Sequence, residues 1–118
     1  MNNIEYIKDI MLKNHNITYY INITKLSMND KRRVQDVFFN NDIYWASDNS
    51  CQGKKYLNLK NSNYYWISWS QIKGRFQIFC SFSKIFSFSE IVRPLIFNDL
   101  MNDNGINFID DLFESIKL

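Results

Sequence analysis

The chain has 118 residues and a formal net charge of +2, and 46% of its residues are hydrophobic and 17% aromatic. This length suits one domain with a substantial core and leaves no room for a second. The near-neutral charge argues against a nucleic-acid mimic and against a strongly basic protein that coats DNA. The large aromatic fraction is typical of a chain that keeps some aromatic side chains for an interface.

Metal-binding and targeting signals are sparse. Cys51 and Cys80 lie 29 residues apart and His15 is the only histidine. Since a structural zinc site uses about four such ligands, we expect no metal and no other cofactor. The amino-terminal residues do not resemble a signal peptide, and no apolar stretch approaches the roughly 20 residues of a membrane span. These features predict a soluble, cytoplasmic protein with reduced thiols.

The first elements are predicted from periodicity. Apolar side chains recur at spacings of three and four over residues 3–13, which predicts an amphipathic helix. Residues 17–24 alternate with a period of two, which predicts a strand with one buried face. The apolar face of this strand comprises Ile17, Tyr19, Ile21 and Ile23.

A second helix is predicted to begin after Ser27, whose hydroxyl suits the N-cap position. Its inner stripe comprises Val34, Val37, Phe38 and Asn41. Its outward or flanking residues comprise Lys31, Arg32, Gln35 and Asp36. The polar run 40–42 is expected to end the helix, and a strand over residues 43–47 follows.

The second half of the chain predicts most of a sheet. Strands are expected over residues 56–60 and 64–70, joined by a compact turn, and over residues 76–82 after a turn at 71–75. A short extended piece follows at Ile85 to Phe88. Pro94 suits a first helical turn, so a helix is predicted from there to about Gly105, and Asn107 caps a last helix.

Together these elements predict a single α+β domain over residues 1–118. A mostly antiparallel sheet of four to six strands would pack against an N-terminal helix, a helix between the first two strands, and C-terminal helices.

No motif of a known reaction occurs in the sequence. Three isolated glycines cannot form a phosphate-binding loop, and His15 has no recognisable nucleophile to serve. Asp110 and Asp111 are adjacent on a predicted helix, so their side chains point in different directions. We therefore expect a protein without enzymatic activity.

A first candidate contact site combines aromatic residues of strand 64–70 with the basic residues that follow. Because side chains alternate along a strand, this strand has aromatic side chains on both faces. Either one face remains open to solvent or a partner, or helices cover both. Platforms that bind single-stranded nucleic acid and protein interfaces both use such residues. The candidate residues are Tyr65, Trp69, Lys73 and Arg75.

A second candidate site is basic. Residues 25–93 contain eleven Lys or Arg and five Asp or Glu, for a net charge of +6, whereas residues 94–118 contain one and five, for −4. Basic residues in the first turns of a helix oppose its dipole, so contact with phosphate or an acidic partner is an alternative to a solvated surface. The candidate residues are Lys31, Arg32, Arg33, Lys54 and Lys55.

The segment around the second helix also carries a pattern. It comprises Val34-Gln35, Phe38-Phe39 and Trp45. With the strands at 56–59 and 64–70 and residues 88–92, it resembles the pattern of small phage-encoded accessory proteins of anti-defence, anti-CRISPR-like type, over residues 17–92. Asn41 or Asp42 stands where that pattern usually has glycine. The resemblance implies a viral origin and an α+β domain, and it brings no catalytic residues.

Small phage accessory proteins commonly bind a host protein stoichiometrically. The leading hypothesis is therefore a non-enzymatic phage or prophage protein that inhibits a host defence factor, of which a CRISPR effector ribonucleoprotein is one example. One alternative is a module that binds single-stranded RNA through Tyr65, Trp69, Lys73 and Arg75. Another is a sponge that sequesters a signalling nucleotide in a dimer cleft. The partner, and the choice between monomer and homodimer, remain open at the level of sequence.

Overall fold

A computed structural model of the chain describes residues 3–46, 55–57, 59–60, 62–83 and 91–102. The predicted extended piece from Ile85 to Phe88 and the predicted helix after Asn107 lie outside the described residues. No helix in the described ranges is long and apolar enough to cross a membrane.

The described residues form three helices and five strands in one sheet. In chain order these are α1 (Asn3–Lys13), β1 (Ile17–Asn22), α2 (Met28–Asn40), β2 (Tyr44–Trp45), β3 (Tyr64–Ser70), β4 (Arg75–Ser81), β5 (Ile91–Leu95) and α3 (Phe97–Asn102).

The sheet has the strand order β2-β4-β3-β1-β5. Strand β3 pairs antiparallel with β1 and with β4, whereas β1 pairs with β5, and β2 with β4, in parallel. The predicted α+β class is confirmed. The sheet is mixed rather than purely antiparallel, because residues far apart in the chain add β2 and β5 in parallel at its two edges.

Helix α2 begins and ends at the predicted signals. The Ser27 hydroxyl accepts a hydrogen bond from the Asp30 amide at 3.1 Å, which satisfies one of the free N–H groups of the first turn. After the helix, Asp42 adopts a φ of 61°. Aspartate tolerates this left-handed conformation better than most residues, so it turns the chain where the resembling pattern has glycine.

The main core lies between one face of the sheet and helices α1 and α2. Buried apolar residues of the two helices include Ile7, Met11, Val34, Phe38 and Phe39. Buried residues of the sheet facing them include Tyr19, Ile21, Tyr65, Ile67 and Ile78.

The opposite face of the central strands is buried as well. Thr18, Tyr20 and Trp66 are all buried, although their side chains alternate with those of the helical face. The Tyr20 and Trp66 rings lie 5.0 Å apart, and the Trp66 indole N–H donates to the Ser81 hydroxyl at 2.7 Å. The prediction that β1 has only one buried face is therefore wrong, because aromatic side chains of β1 and β3 pack against one another on the second face as well.

The strand predicted over residues 56–60 is wrong at every described position of that stretch. Residues 56, 57, 59 and 60 are outside any strand. The stretch is held against α2 by side-chain hydrogen bonds to the backbone of Leu57 and Leu59. The alternation of apolar residues that predicted a strand here comes from leucines that lie against a helix, and these residues do not pair in a sheet.

Pro94 lies in β5 and not in a helix, so the predicted start of the C-terminal helix is wrong. β5 is at the end of the strand order, where a residue without an N–H group can face away from the sheet. Proline also disfavours the helical conformation of the residue that precedes it. Helix α3 begins three residues later, at Phe97.

Candidate functional site

The turn between β3 and β4 projects an apolar side chain into solvent. The Gly74 amide donates to the Ser70 carbonyl at 2.8 Å, and the Lys73 amide donates to the Ser70 hydroxyl at 3.1 Å. Gly74 has a φ of 63°, a conformation that costs glycine little. This closed turn leaves Ile72 99% exposed at its tip.

Lys73 and Arg75 connect the turn to the end of β2. The Lys73 ammonium donates to the Ala46 carbonyl, and a guanidinium N–H of Arg75 donates to the Trp45 carbonyl at 3.5 Å. Of these two predicted contact residues, Lys73 follows Ile72 in the turn and Arg75 begins β4 directly after it. An ammonium group has three N–H donors, so the bond to Ala46 uses one of those on Lys73.

A cleft of about 610 Å³ opens beside the turn. Strand β4 contributes its middle residues, and the turn and the end of β2 contribute the remainder. The lining residues are Trp45, Ala46, Ser70, Ile72, Lys73, Gln77, Ile78, Phe79 and Cys80. Sequence reasoning missed this cleft because it requires β2 to pair with β4, which no local pattern predicts.

Gln77 is the most unusual group of the cleft. Its side chain is 9% exposed, and its Oε1 atom is buried without a hydrogen-bond partner among the described residues. Its neighbours Phe76 and Ile78 face the main core, so alternation along β4 directs Gln77 to the opposite face of the sheet.

Of the two predicted aromatic contact residues, one is buried and the other is half-buried. Tyr65 is completely buried, and burial raises its pKa to about 12. Trp69 is half-buried between the His15 ring, stacked at 6.2 Å, and the Phe76 ring at 4.8 Å. The prediction that Tyr65 contacts a partner is wrong, because this face of β3 meets the helices.

A buried glutamine explains why Tyr65 is fixed. The Gln35 side-chain amide donates to the Tyr65 hydroxyl at 3.0 Å and to the Leu57 carbonyl at 3.2 Å. Its oxygen accepts from the Trp45 indole N–H and from the Leu57 amide, both at 3.1 Å. Gln35 was predicted to face outward or along the helix flank, yet it is completely buried with its hydrogen-bonding capacity filled.

The basic set on α2 is only partly exposed. Lys31 is 8% exposed, and its ammonium donates to the Leu59 carbonyl at 3.1 Å, so its predicted surface role is wrong. The spacing of four between Lys31 and Gln35, continued by the buried Phe39, places all three on one face of the helix. That spacing is the signal that could have predicted their burial.

The other basic residues of this set reach solvent. Arg32 lies 5.5 Å from the centre of the Tyr56 ring, and Arg33 pairs with Asp30 at 3.1 Å. Both arginines are exposed, as is Lys55, whereas Lys54 lies outside the described residues.

The Tyr56 hydroxyl is held by a carboxylate. It donates a hydrogen bond to Asp36, which raises the pKa of Tyr56, with smaller contributions from desolvation and from the Asp36 charge. Tyr56 remains 40% exposed.

Comparison of the chain with protein-family models, with curated proteins and with solved structures found no match. Within the described part of the chain, no group of three or more His, Cys, Asp or Glu side chains is arranged to hold a metal ion. The arrangement around the turn offers an apolar tip, two cations and a cleft, which are features suited to binding.

Proposed function

We propose that this protein binds a host protein through the turn surface, which we define as Ile72, Lys73 and Arg75, and thereby inhibits it. The observation that carries the proposal is the 99% exposure of Ile72 on a turn closed by hydrogen bonds. An apolar side chain held in a fixed position can enter a pocket of a partner at a small entropic cost. Lys73 and Arg75, which follow it in the chain, favour a partner surface that carries carboxylates.

The partner that we propose is a host defence factor, with a CRISPR effector ribonucleoprotein as the leading example. The resemblance to phage accessory proteins over residues 17–92 supports this choice. The inhibition would take place in the cytoplasm of the host cell and would require binding alone, without a catalytic step.

Affinity capture from a lysate of the host tests the proposal. We expect the wild-type chain to retain one specific protein or ribonucleoprotein, and Ile72→Ser to reduce its recovery at least tenfold. Ile96→Ser is the matched control, because Ile96 is also exposed, at 56%, but lies after β5. The purified partner should then lose activity in the presence of the wild-type chain.

Two results would contradict this function. One is the absence of any specifically retained protein, and the other is equal recovery with Ile72→Ser and with Ile96→Ser. Both substituted side chains are exposed, so both variants should melt at the wild-type temperature, which separates lost contact from lost folding.

A second candidate function, contact with single-stranded RNA, is favoured by one observation. Arg32 lies over the exposed Tyr56 ring, and Lys55, which is also exposed, precedes Tyr56 in the chain. RNA binding through them should weaken as salt increases, and the double substitution of Arg32 and Lys55 by glutamine should reduce the salt dependence. Absence of binding at low salt would exclude this function.

A further inference from the structure

Strand β5 forms one edge of the sheet. It pairs with β1 on one side, and among the described residues no strand pairs with it on the other. Ile91, Val92 and Leu95 give it the apolar and partly β-branched composition that favours strand pairing. An edge strand of this kind is a template for another chain, and two copies of one strand can pair with each other about a two-fold axis.

The hydrogen bonds to β1 decide which backbone groups of β5 face outward. The Ile91 amide donates to the Asn16 carbonyl at 3.1 Å, so the backbone groups of Ile91 face β1. These groups alternate in direction along a strand, and the parallel register continues to Leu95. Val92 and Pro94 therefore hold the outward positions. Pro94 is exposed and has no N–H group, so within β5 the outer edge has one donor, on Val92.

The consequence for self-pairing follows from the symmetric register. When two β5 strands pair antiparallel about Arg93, Val92 of each copy lies opposite residue 94 of the other. Each of these residue pairs would exchange two N–H···O bonds, and proline at position 94 removes one of them. The two Arg93 residues would also lie directly opposite each other, and like charges in that position destabilise strand pairing.

The opposite edge of the sheet has a different protection. β2 is only two residues long, and short edge strands limit pairing because they offer little backbone to another chain. β5 is five residues long, and the single proline of the chain lies in it at an outward position. The longer edge strand is thus the one in which a donor is missing.

We propose that Pro94 keeps the outer edge of β5 from pairing with β5 of a second copy of this chain. Half of the hydrogen bonds of such a pair are lost with proline at this outward position, so the pair is too weak to persist. The turn surface belongs to the turn between β3 and β4 and is not part of this edge. The inference therefore does not depend on the proposed protein contact.

The variant Pro94→Val restores the missing N–H group and tests the inference. Valine favours strands, so the variant should fold and melt close to the wild-type temperature. Sedimentation velocity over a range of protein concentrations, at high salt to screen the Arg93 charges, measures association. The variant should associate about thirtyfold more tightly than the wild type, since the pair regains two hydrogen bonds.

Moving the proline provides the matched control. In the double variant with Val92→Pro and Pro94→Val, the outer edge again has one N–H group, now at residue 94, so association should return to the wild-type level.

Hydrogen exchange locates the contact. In the wild type, the outward Val92 amide should exchange much faster than the Arg93 amide, which faces β1. In Pro94→Val, the Val92 amide should gain protection as the protein concentration rises.

Three results would overturn the inference. The first is equal association of the wild type and of folded Pro94→Val. The second is a double variant that associates as tightly as Pro94→Val. The third needs no variant: protection of the wild-type Val92 amide equal to that of Arg93 would show that the edge is already paired. Pro94→Val should still retain the captured host protein, so failure of this inference and failure of the protein contact are separate results.

Discussion

At the scale of single residues, Gln35 connects parts of the molecule that are distant in sequence. Its amide joins helix α2 to Trp45 of β2, to Tyr65 of β3 and to both backbone groups of Leu57. A buried amide with all four hydrogen bonds formed is stabilising, whereas each partner left without it would be buried and unsatisfied. Gln35 therefore orders the segment at residues 55–57 that was wrongly predicted to be a strand.

Replacing Gln35 should test this role directly. Gln35→Met keeps a similar volume but leaves the four hydrogen-bonding groups of its partners buried. We expect the free energy of unfolding to fall by about 3 kcal/mol in urea titrations. Asn29→Met, at an exposed position of the same helix, should change it by less than about 0.5 kcal/mol. Equal stability of the two variants would contradict the role of Gln35.

Two buried tyrosines should make the fold sensitive to alkaline pH. Burial raises the pKa of both Tyr19 and Tyr65 from 10.0 to about 12. The unfolded chain then loses these protons at lower pH than the folded chain. The stabilisation is therefore complete below pH 10 and is lost as the pH rises to 12, at about 1.4 kcal/mol per pH unit for each tyrosine.

Phenylalanine variants separate the two tyrosines. Above pH 10, Tyr19→Phe should reduce the slope with which the free energy of unfolding falls as pH rises. Near pH 7 it should leave the free energy of unfolding unchanged or higher, because the Tyr19 hydroxyl has no partner among the described residues. Tyr65→Phe should also reduce the slope but cost about 1 kcal/mol near pH 7, since it removes the acceptor of a Gln35 N–H. Urea titrations between pH 7 and pH 12 measure both effects, and an unchanged slope in both variants would contradict the assignment.

Single residues also mark what sequence could not predict about the site. Tyr65 and Lys31 have the chemistry of contact residues, but their accessibility depends on which elements pack against them. Lys73 and Arg75 lie near one another because Lys73 is in the turn and Arg75 begins β4 directly after it, and their role in contact stays a prediction. Gln77 could not be predicted as a site residue, since nothing in the sequence shows that a single glutamine in a strand lines a cleft.

At the scale of elements, the junction between α2 and β2 depends on a left-handed residue. Asp42→Gly should maintain stability or raise it by up to about 1 kcal/mol, because glycine adopts a φ of 61° without steric cost. The lost bond from the Tyr44 hydroxyl to Asp42, at 3.3 Å on the surface, contributes little. Asp42→Val should cost about 2 kcal/mol. Relative to the wild type, the melting temperature should stay the same or rise for Asp42→Gly and fall for Asp42→Val. Equal destabilisation by both variants would contradict backbone strain at Asp42.

Elements with strong local signals were the ones predicted accurately. Helix α2 has a cap, a periodic stripe and a polar stop, and β3 matches its predicted range 64–70. By contrast, β5 exists because β1 offers it an edge, and β2 is only two residues long. Their formation depends on pairing between distant segments, which propensity and periodicity do not encode.

At the scale of the whole molecule, β1 and β3 form the centre of a sheet whose edges differ in strength. β1 is hydrogen-bonded to both β3 and β5, and β3 to both β1 and β4. β2 pairs with β4 through two residues only, followed by the bond from the Ala46 amide to the Ile78 carbonyl. The turn surface and the cleft are therefore supported on one side by the central strands and on the other by the shortest strand.

Hydrogen exchange should reveal this gradient. The amides of Tyr20 and Ile21 in β1, and of Trp66 in β3, should exchange only on global unfolding. The Ala46 amide, although hydrogen-bonded, should exchange about a hundredfold faster after correction for intrinsic rates, because opening β2 disrupts few contacts. If Ala46 is protected as strongly as Ile21, then β2 is as firmly held as the centre. A Gln35→Met chain should narrow the difference, since global unfolding loses the contribution of all four Gln35 hydrogen bonds whereas opening of β2 loses only that of the Trp45 indole.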